Sequence, residues 1–379
     1  LDQDRAGIAY ADITTGEFAT TQLDGASAEQ DVFRELARLA PAEVILSDGG
    51  DPFRAQGDGH TAEALRRYPF LSGVDAPLTL YDDWRFELGN ARQALLDHFD
   101  VRTLAGYGCE DLPLAQRAAG VLLQYLRQHQ ASALAQLTGL VTYATDGFMA
   151  LDAATRRSLE LTETIRDRGV RGSLLGVLDR TLTPMGARLL RRWVSQPLLD
   201  RDALEARLAV VDACYRDLAA RTALRALLRG VGDLERLTNR IVQGIAQPRD
   251  LIGLKNALER VADLRARLNE LVAQSAASVG QAGSSVGDIY PLNGVGLSPV
   301  PAAAELVARA IVDEPPATLN AGGVIRRGYS AELDGIEQSV RSAKQWVANL
   351  ERVERERTGI KSLKVGYNKV FGYNDTATT

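Results

Sequence analysis

Leu333, Ile336, Val340, Ala343, Val347 and Leu350 follow one another at steps of three, four, three, four and three, inside a proline-free stretch from Ala331 to Arg357. This spacing is a heptad seam, and the stretch predicts a helix about 40 Å long at about 1.5 Å per residue. A helix of that length with one apolar seam needs a partner along it. It is suited to spanning a distance rather than to enclosing a pocket, and without a partner helix it is expected to self-associate.

The 379 residues as a whole are 45% hydrophobic and 25% charged, enough for two or three separate cores. No apolar run reaches the roughly 18 residues that cross a bilayer, and the first residues, "LDQDRAGIAY", lack the basic start and apolar stretch of a signal peptide. No membrane association and a cytoplasmic location are therefore expected. Cys109 and Cys214 are far apart and lie in no CxxC or His-rich setting, so neither a disulfide framework nor a zinc site is predicted.

The net charge of -5 hides an asymmetry. Residues 1–100 hold 19 acids against 8 arginines and no lysine, a balance of -11, which leaves +6 for residues 101–379. All five lysines lie in the second half, and Lys361, Lys364 and Lys369 fall in the last 19 residues. From Arg357 to Tyr373 there are four positive charges and no acid, a pattern that serves either as a solvated end or as a phosphate-neutralising surface.

The organisation changes near residue 150. In "GIAYADITTG" and "GEFATTQL" β-branched and aromatic residues flank the turn residues Thr14 to Glu17, which predicts a β-hairpin. Helical "SAEQDVFRELARLA" and a short strand, "AEVILSD", follow, and strands alternating with helices argue an α/β domain. The helix "LPLAQRAAGVLLQYLRQHQ" closes it, with Asp111 as candidate cap and Pro113 just inside. Beyond Leu151 the signals are helical, in "DAATRRSLELTETIR", "DRDALEARLAVVDACYRD", "TALRALLRGVGDLERLTNRIV" and "PRDLIGLKNALERVADLRARLNELV". In "SLLGVLDRTLTPMGARLLRRWVSQPLLD", Thr183 is a good N-cap, Pro184 takes the first turn and Pro197 marks the end. There Leu189, Leu190 and Trp193 are expected as one apolar stripe flanked by Arg188, Arg191 and Arg192. The Ser-, Gly- and Ala-rich stretch "SAASVGQAGSSVGDIYPLNGVGLSP" then breaks the pattern as a loop would.

The search for catalytic groups is negative. His60, His98 and His129 have no metal-ligand spacing, and there is neither an HExxH motif nor a GxxxxGK[ST] phosphate loop. The pairs Gly49-Gly50 and Gly322-Gly323 are too short for nucleotide cradles, and Asp82-Asp83 lacks the further carboxylates of a metal site. No catalytic, cofactor or metal residue is assigned. Composition and pattern alone reach an α/β domain joined to a long helical arm with a basic tip.

Several segments add a family resemblance. "LDAATRRSLELTETIR" followed by "SLLGVLDRTLTPMGARLLRRWVSQPL", then "GDLERLTNRI", "QPRDLIGLKNAL", "GGVIRRGYSAELD" and "ERTGIKSLKVGYNKVFGY" resemble, in order and approximate spacing, the core of the MutS family of DNA mismatch-recognition proteins. "AGIAYADITTGEF" resembles the start of that family's connector domain. The resemblance covers nearly the whole chain. It implies a multidomain α/β plus all-α protein: an RNase H-like connector over residues 1–147, the first section of a helical core or lever domain over 148–357, and the incomplete start of a DNA clamp over 358–379. It further implies that the mismatch-reading domain with its Phe-x-Glu motif, and the ATPase domain with its Walker loop, fall outside these residues, so that ATP and Mg are expected only there. The last six residues resemble nothing in the family.

On this resemblance the segment is no enzyme. It transmits conformational change between a clamp on mismatched double-stranded DNA and the ATPase of a homodimer, and its connector receives the partner MutL. DNA-backbone contact is expected from Lys361, Lys364, Asn368 and Lys369. In the family the seam from Leu333 to Leu350 packs on a helix that returns from beyond the clamp. Two alternatives are an RNase H-like nuclease built around Asp12 and Glu17, whose two-metal chemistry needs further carboxylates, and a helical scaffold unrelated to DNA.

Overall fold

The computed structural model describes residues 2, 4–49, 60–279, 297–368 and 372–377; of these, 60, 272–279, 347–348, 351, 365–368 and 372–377 are described by backbone only. Gly50, Lys369 and most of the Ser- and Gly-rich stretch lie outside the described residues. The chain forms two compact units, Leu1–Ala304 and Glu305–Thr379.

The first unit begins with the expected hairpin. Strand β1 (Arg5–Asp12) pairs antiparallel with β2 (Glu17–Asp24), in a register running from Arg5↔Asp24 to Asp12↔Glu17. Helix α1 (Ala28–Leu39), β3 (Val44–Ser47), α2 (His60–Arg67) and β4 (Leu78–Tyr81) follow, with β4 parallel to β3. Helices α3 (Leu88–Phe99) and α4 (Pro113–His129) lead to the short β5 (Val141–Thr142), which lies parallel to β2. The strands make a three-stranded sheet in the order β1-β2-β5 and a two-stranded sheet β3-β4. Strand alternation sends Ala6, Ile8 and Leu23 into a cluster with Val32 and Leu36 of α1. The opposite face carries Phe18 into a second cluster with Leu95 of α3 and Leu123 of α4. Each such fully buried leucine or phenylalanine contributes about 1.5–3 kcal/mol. Helices α3 and α4 touch backbone to backbone at Gly120, where an added Cβ would lie 2.2 Å from the carbonyl oxygen of Ala91.

Asp111 does not cap α4. The N-cap position is Leu112, which has no side-chain acceptor, and the free N–H of Leu114 is taken at 3.0 Å by Oε1 of Gln22 on β2. The sheet thus supplies the cap that the neighbouring sequence does not.

Past residue 150 the described structure in this unit is helical: α5 (Ala153–Ser158), α6 (Leu174–Leu178), α7 (Pro184–Ser195), α8 (Arg201–Arg216), α9 (Leu218–Leu228), α10 (Leu234–Val242) and the 32-residue α11 (Pro248–Val279). Side chains cap the N-termini of α5 to α10: Asp152, Ser173, Thr183, Asp200, Asp217 and Asp233 each accept an N–H of the first turn. The periodic stretch from Asp152 to Arg166 is not one helix. It ends at Ser158, and Glu160 and Arg168 then take left-handed φ values of 46° and 49°. This break turns Leu161 into a core with Leu151, Leu175 and Val194. The stretch from Thr222 to Val242 likewise divides at Gly230–Gly232 into α9 and α10.

Helix α12 (Pro301–Ala310) leads into the second unit, where Ile311 and Ile325 form an antiparallel bridge. The long helix appears as α13 (Ala331–Thr358), capped by Ser330 and closed by left-handed Gly359 at φ 72°. Beyond it β6 (Leu363–Asn368) and β7 (Gly372–Ala377) form an antiparallel hairpin, so that residues 374–377 are strand.

Candidate functional site

The hairpin turn between β1 and β2 meets two of the helices that follow the α/β part. Asp12 closes it: its backbone carbonyl accepts from Gly16 at 2.8 Å and its carboxylate accepts both N–H and O–H of Thr14, at 2.8 and 2.7 Å. The carbonyl of Thr14, thus presented outward, accepts from Nδ2 of the buried Asn239 on α10 at 3.0 Å. Gly16 sits at φ 75°, and a Cβ there would come within 2.9 Å of the Gln136 carbonyl and 3.1 Å of the Asn239 side chain. One position later, Nη2 of Arg192 on α7 donates to both oxygens of Glu17 at 2.9 Å, while the Tyr10 hydroxyl donates to the same carboxylate at 2.7 Å. Burial, and next the bond to Glu17, push the Tyr10 phenol up to about 12.

Helices α7 and α10 are in turn locked together. Arg188 donates to both oxygens of Asp233 at 2.8 and 2.7 Å and also reaches Glu235. These bonds, that to Asp233 first, raise the Arg188 guanidinium above its ordinary value, and the bonds from Arg188 hold the Asp233 carboxyl below its own. Asp233 also caps α10, so a single side chain fixes both the start of that helix and its seat on α7. The linker is clipped to the other end of α7: Met149 N–H donates to Pro197 O at 2.8 Å, and Leu199 N–H to Gly147 O at 3.0 Å. Arg156 adds a bond to the carbonyl of Ser195 at 2.5 Å.

The stripe expected on α7 is divided. Leu190 packs with Val194 into the core, whereas Leu189 is exposed, and Trp193, 36% exposed, lies under the Arg207 guanidinium at 3.9 Å. Of the three arginines, Arg188 and Arg192 are ion-pair partners.

The acids of the nuclease alternative are both engaged, Asp12 in its turn and Glu17 with Arg192 and Tyr10. Asp82 pairs with Arg85 at 3.2 Å and Asp83 accepts from Ser47. His98 meets the Leu137 carbonyl at 2.8 Å and His129 that of Tyr125 at 3.0 Å. Both cysteines are free, and burial raises both thiols. Among the described residues no group of three or more His, Cys, Asp or Glu is arranged to hold a metal ion.

In the second unit, Lys361 lies in the turn after α13 and Lys364 near the start of β6; both are exposed. Position 364 pairs with Thr376, and position 368 with Gly372 at the closed end of the hairpin. Positions 364 and 368 are an even number apart and fall on one face of the strand. The Asn368 side chain and all of Lys369 lie outside what is described. Lys361 and Lys364 are thus close along one end of α13 and its hairpin, where the Leu363 carbonyl accepts from Arg355 at 2.7 Å.

With its hairpin joined to α7 and α10, the chain is a mixed α/β part followed by a mostly helical one. Comparison with known families agrees. Residues 1–138 match MutS domain II and residues 154–363 match MutS domain III. DNA mismatch repair protein MutS of Symbiobacterium thermophilum is 40% identical over 97% of this chain, and those of Dehalococcoides mccartyi and Salinibacter ruber are 40% and 38% identical over 98%. The chain belongs to the MutS family. It spans only 38–40% of the length of these relatives.

The sequence indicated none of the joint's long-range bonds. The capping pattern of Asp233 was visible in "GDLERL", but not that its partner is Arg188, 45 residues earlier.

Proposed function

We propose that residues 1–379 are the connector and first lever section of a DNA mismatch-recognition protein, and that they carry conformational change between a DNA clamp and an ATPase elsewhere in the polypeptide. On this reading residues 1–147 are an RNase H-like connector that also receives MutL, 148–357 the lever and 358–379 the start of the clamp. The working protein is a cytoplasmic homodimer on mismatched double-stranded DNA, with ATP and Mg bound outside this segment. Lys361, Lys364, Asn368 and Lys369 touch the DNA backbone, where contacts position the protein without reading sequence.

The observation that carries this reading is the joint. The hairpin turn is tied to α7 through Glu17 and to α10 through Thr14, and Arg188 with Asp233 ties α7 to α10. Movement of the connector is thereby shared with the helices. If nucleotide and DNA states bias each other through it, the effect is a reciprocal coupling free energy, typically about 1–3 kcal/mol.

The test uses the complete polypeptide carrying Glu17→Gln and Asn239→Ala. Nucleotide-triggered release from mismatched DNA should weaken several-fold, with DNA affinity in the absence of nucleotide and DNA-free ATP hydrolysis unchanged. Release at the wild-type rate would remove the joint from the relay.

A further inference from the structure

Arg38 on α1, Arg156 on α5 and Arg192 on α7 border one cleft, and Tyr10 lies among them. The Arg38 guanidinium stands 5.9 Å from the centre of the Tyr10 ring, and the charges of Arg38 and Arg192 both act on the Tyr10 phenol. The charge of Arg38 also acts on Arg156. Three elements far apart in sequence thus bring three guanidinium groups to one place.

Their carboxylates do not balance them. Glu35, 6% exposed, accepts from Nε and Nη2 of Arg38 at 2.6 and 2.9 Å, and Glu17 accepts from Nη2 of Arg192. Arg156 has no such partner among the described residues: its Nε donates to the carbonyl of Leu151 at 3.2 Å and its Nη1 to that of Ser195. Burial, and next the charge of Arg38, hold the Arg156 guanidinium below its ordinary value in spite of Glu35 nearby. Arg157 and Arg191, sequence neighbours of two of these residues, border the same cleft, and their side chains form no ion pair among the described residues. On the rest of this wall Glu163 and Arg168 cancel in charge, and Arg188 is held by Asp233 and Glu235. Five arginines against Glu17 and Glu35 leave an excess of three positive charges.

The donors left over suit an oxyanion. Nη1 of Arg38, Nη2 of Arg156 and Nη1 of Arg192 have no acceptor among the described residues. Guanidinium forks match the oxygens of a phosphate, and hydrogen bonds between ions are about twice as strong as neutral ones. A phosphate monoester carries about -1.5 to -2 near neutrality, which supplies most of the charge this place lacks.

We propose that Arg38, Arg156 and Arg192 form a receptor for one phosphate group, free or as a monoester, that bridges α1 to α5 and α7. The bound group adds a tie between the α/β part and the helices beside the pair of Glu17 and Arg192. The inference rests on the arrangement of charges and donors and is independent of the relay reading.

Phosphorus-31 NMR of inorganic phosphate added to the 379-residue chain tests it, at an ionic strength fixed with sodium chloride. The expected result is saturable line broadening with a Kd of about 1 mM or below, weakened about tenfold or more in Arg156→Gln. That variant also loses two bonds to carbonyls, so Arg156→Lys and Arg191→Ala accompany it. Lysine keeps the charge without the fork, and Arg191 is exposed and makes no side-chain hydrogen bond among the described residues. Each should weaken binding several-fold with helical content by circular dichroism unchanged. AMP as a competitor separates the sources: displacement of phosphate shows that the receptor takes a monoester, and no displacement that it takes the free ion, either of which agrees with the proposal. Broadening that does not saturate by about 10 mM phosphate, or that saturates alike in wild type and the variants, would overturn it.

Discussion

Arg192 holds both carboxylate oxygens of Glu17 at 2.9 Å across 175 residues of sequence. The pair lies at the surface, with side-chain exposures of 53% and 33%, so its geometry is more informative than its energy. Exposed ion pairs contribute about 0.2–1 kcal/mol and weaken in salt. A double-mutant cycle of Arg192→Ala and Glu17→Gln should give a coupling in that range by urea denaturation, shrinking as salt is raised. A coupling of several kcal/mol would mean that the pair carries the stability of the joint rather than its alignment.

The bond between Arg188 and Asp233 is of another kind. Asp233's side chain is only 15% exposed and its carboxyl is held below the ordinary value of 3.8, first by Arg188. A carboxyl lowered in the folded state adds stability above its unfolded value, and that stability is lost as pH falls through the lower, folded one. Asp233→Asn should therefore be less stable than wild type by about 1–3 kcal/mol near neutrality. The difference should close only as pH is taken below about 3.8. A gap that stayed constant through that acid range would show that the charge of Asp233 is not what stabilises the contact.

At Gly120 the usual rule for helix glycines reverses. Exchanging a helix-interior glycine for alanine ordinarily gains about 0.5–1 kcal/mol. In α4 the new methyl would meet backbone atoms of Ala91 at 2.2 to 2.6 Å, so α3 would have to move. Gly120→Ala is expected to cost about 1–3 kcal/mol, whereas Gly335→Ala in α13, with nothing within 4 Å of its Cβ, should stabilise. Thermal or chemical unfolding of both variants checks this, and a gain at Gly120 would mean that the helices are not in backbone contact.

What was legible in the sequence was local. The hairpin, the Thr183 cap, the α11 periodicity and the long final helix are each decided by residues within a turn or two of one another, and they appear where expected. The failures share a cause in distant contacts. Asp111 reads as a cap, but Gln22 supplies the bond to the first turn from a strand 92 residues away. The periodic stretch after Asp152 reads as one helix, yet it breaks so that Leu161 can enter a core completed by Val194. The joint is likewise made by residues that meet only after folding, as Thr14 and Asn239 do across 225 residues. For the basic end the sequence showed charge, and the fold adds that Lys361 and Lys364 flank the start of one hairpin.

Those two lysines give a test of the DNA reading. Each phosphate contact contributes about 0.9 to the slope of log affinity against log salt on duplex DNA. In the complete polypeptide, Lys361→Ala and Lys364→Ala together should weaken binding to matched and mismatched duplexes alike and reduce that slope by roughly 1–2. A loss confined to mismatched DNA, or an unchanged slope, would take these residues out of the backbone contact.

The seam of α13 makes the final prediction. Ile336 and Val340 stand at consecutive seam positions and are 55% and 47% exposed, while Leu333 and Leu350 at either end are half-buried. Apolar residues repeating every three and four along a helix of 28 residues favour pairing with a second such surface. The 379-residue chain at high concentration should therefore self-associate by light scattering, and Ile336→Asp with Val340→Asp should return it to a monomer while helical content by circular dichroism is kept. A wild-type chain that stays strictly monomeric would show that the flanking charges, among them the Arg341–Glu337 and Arg352–Glu356 pairs, keep two seams apart.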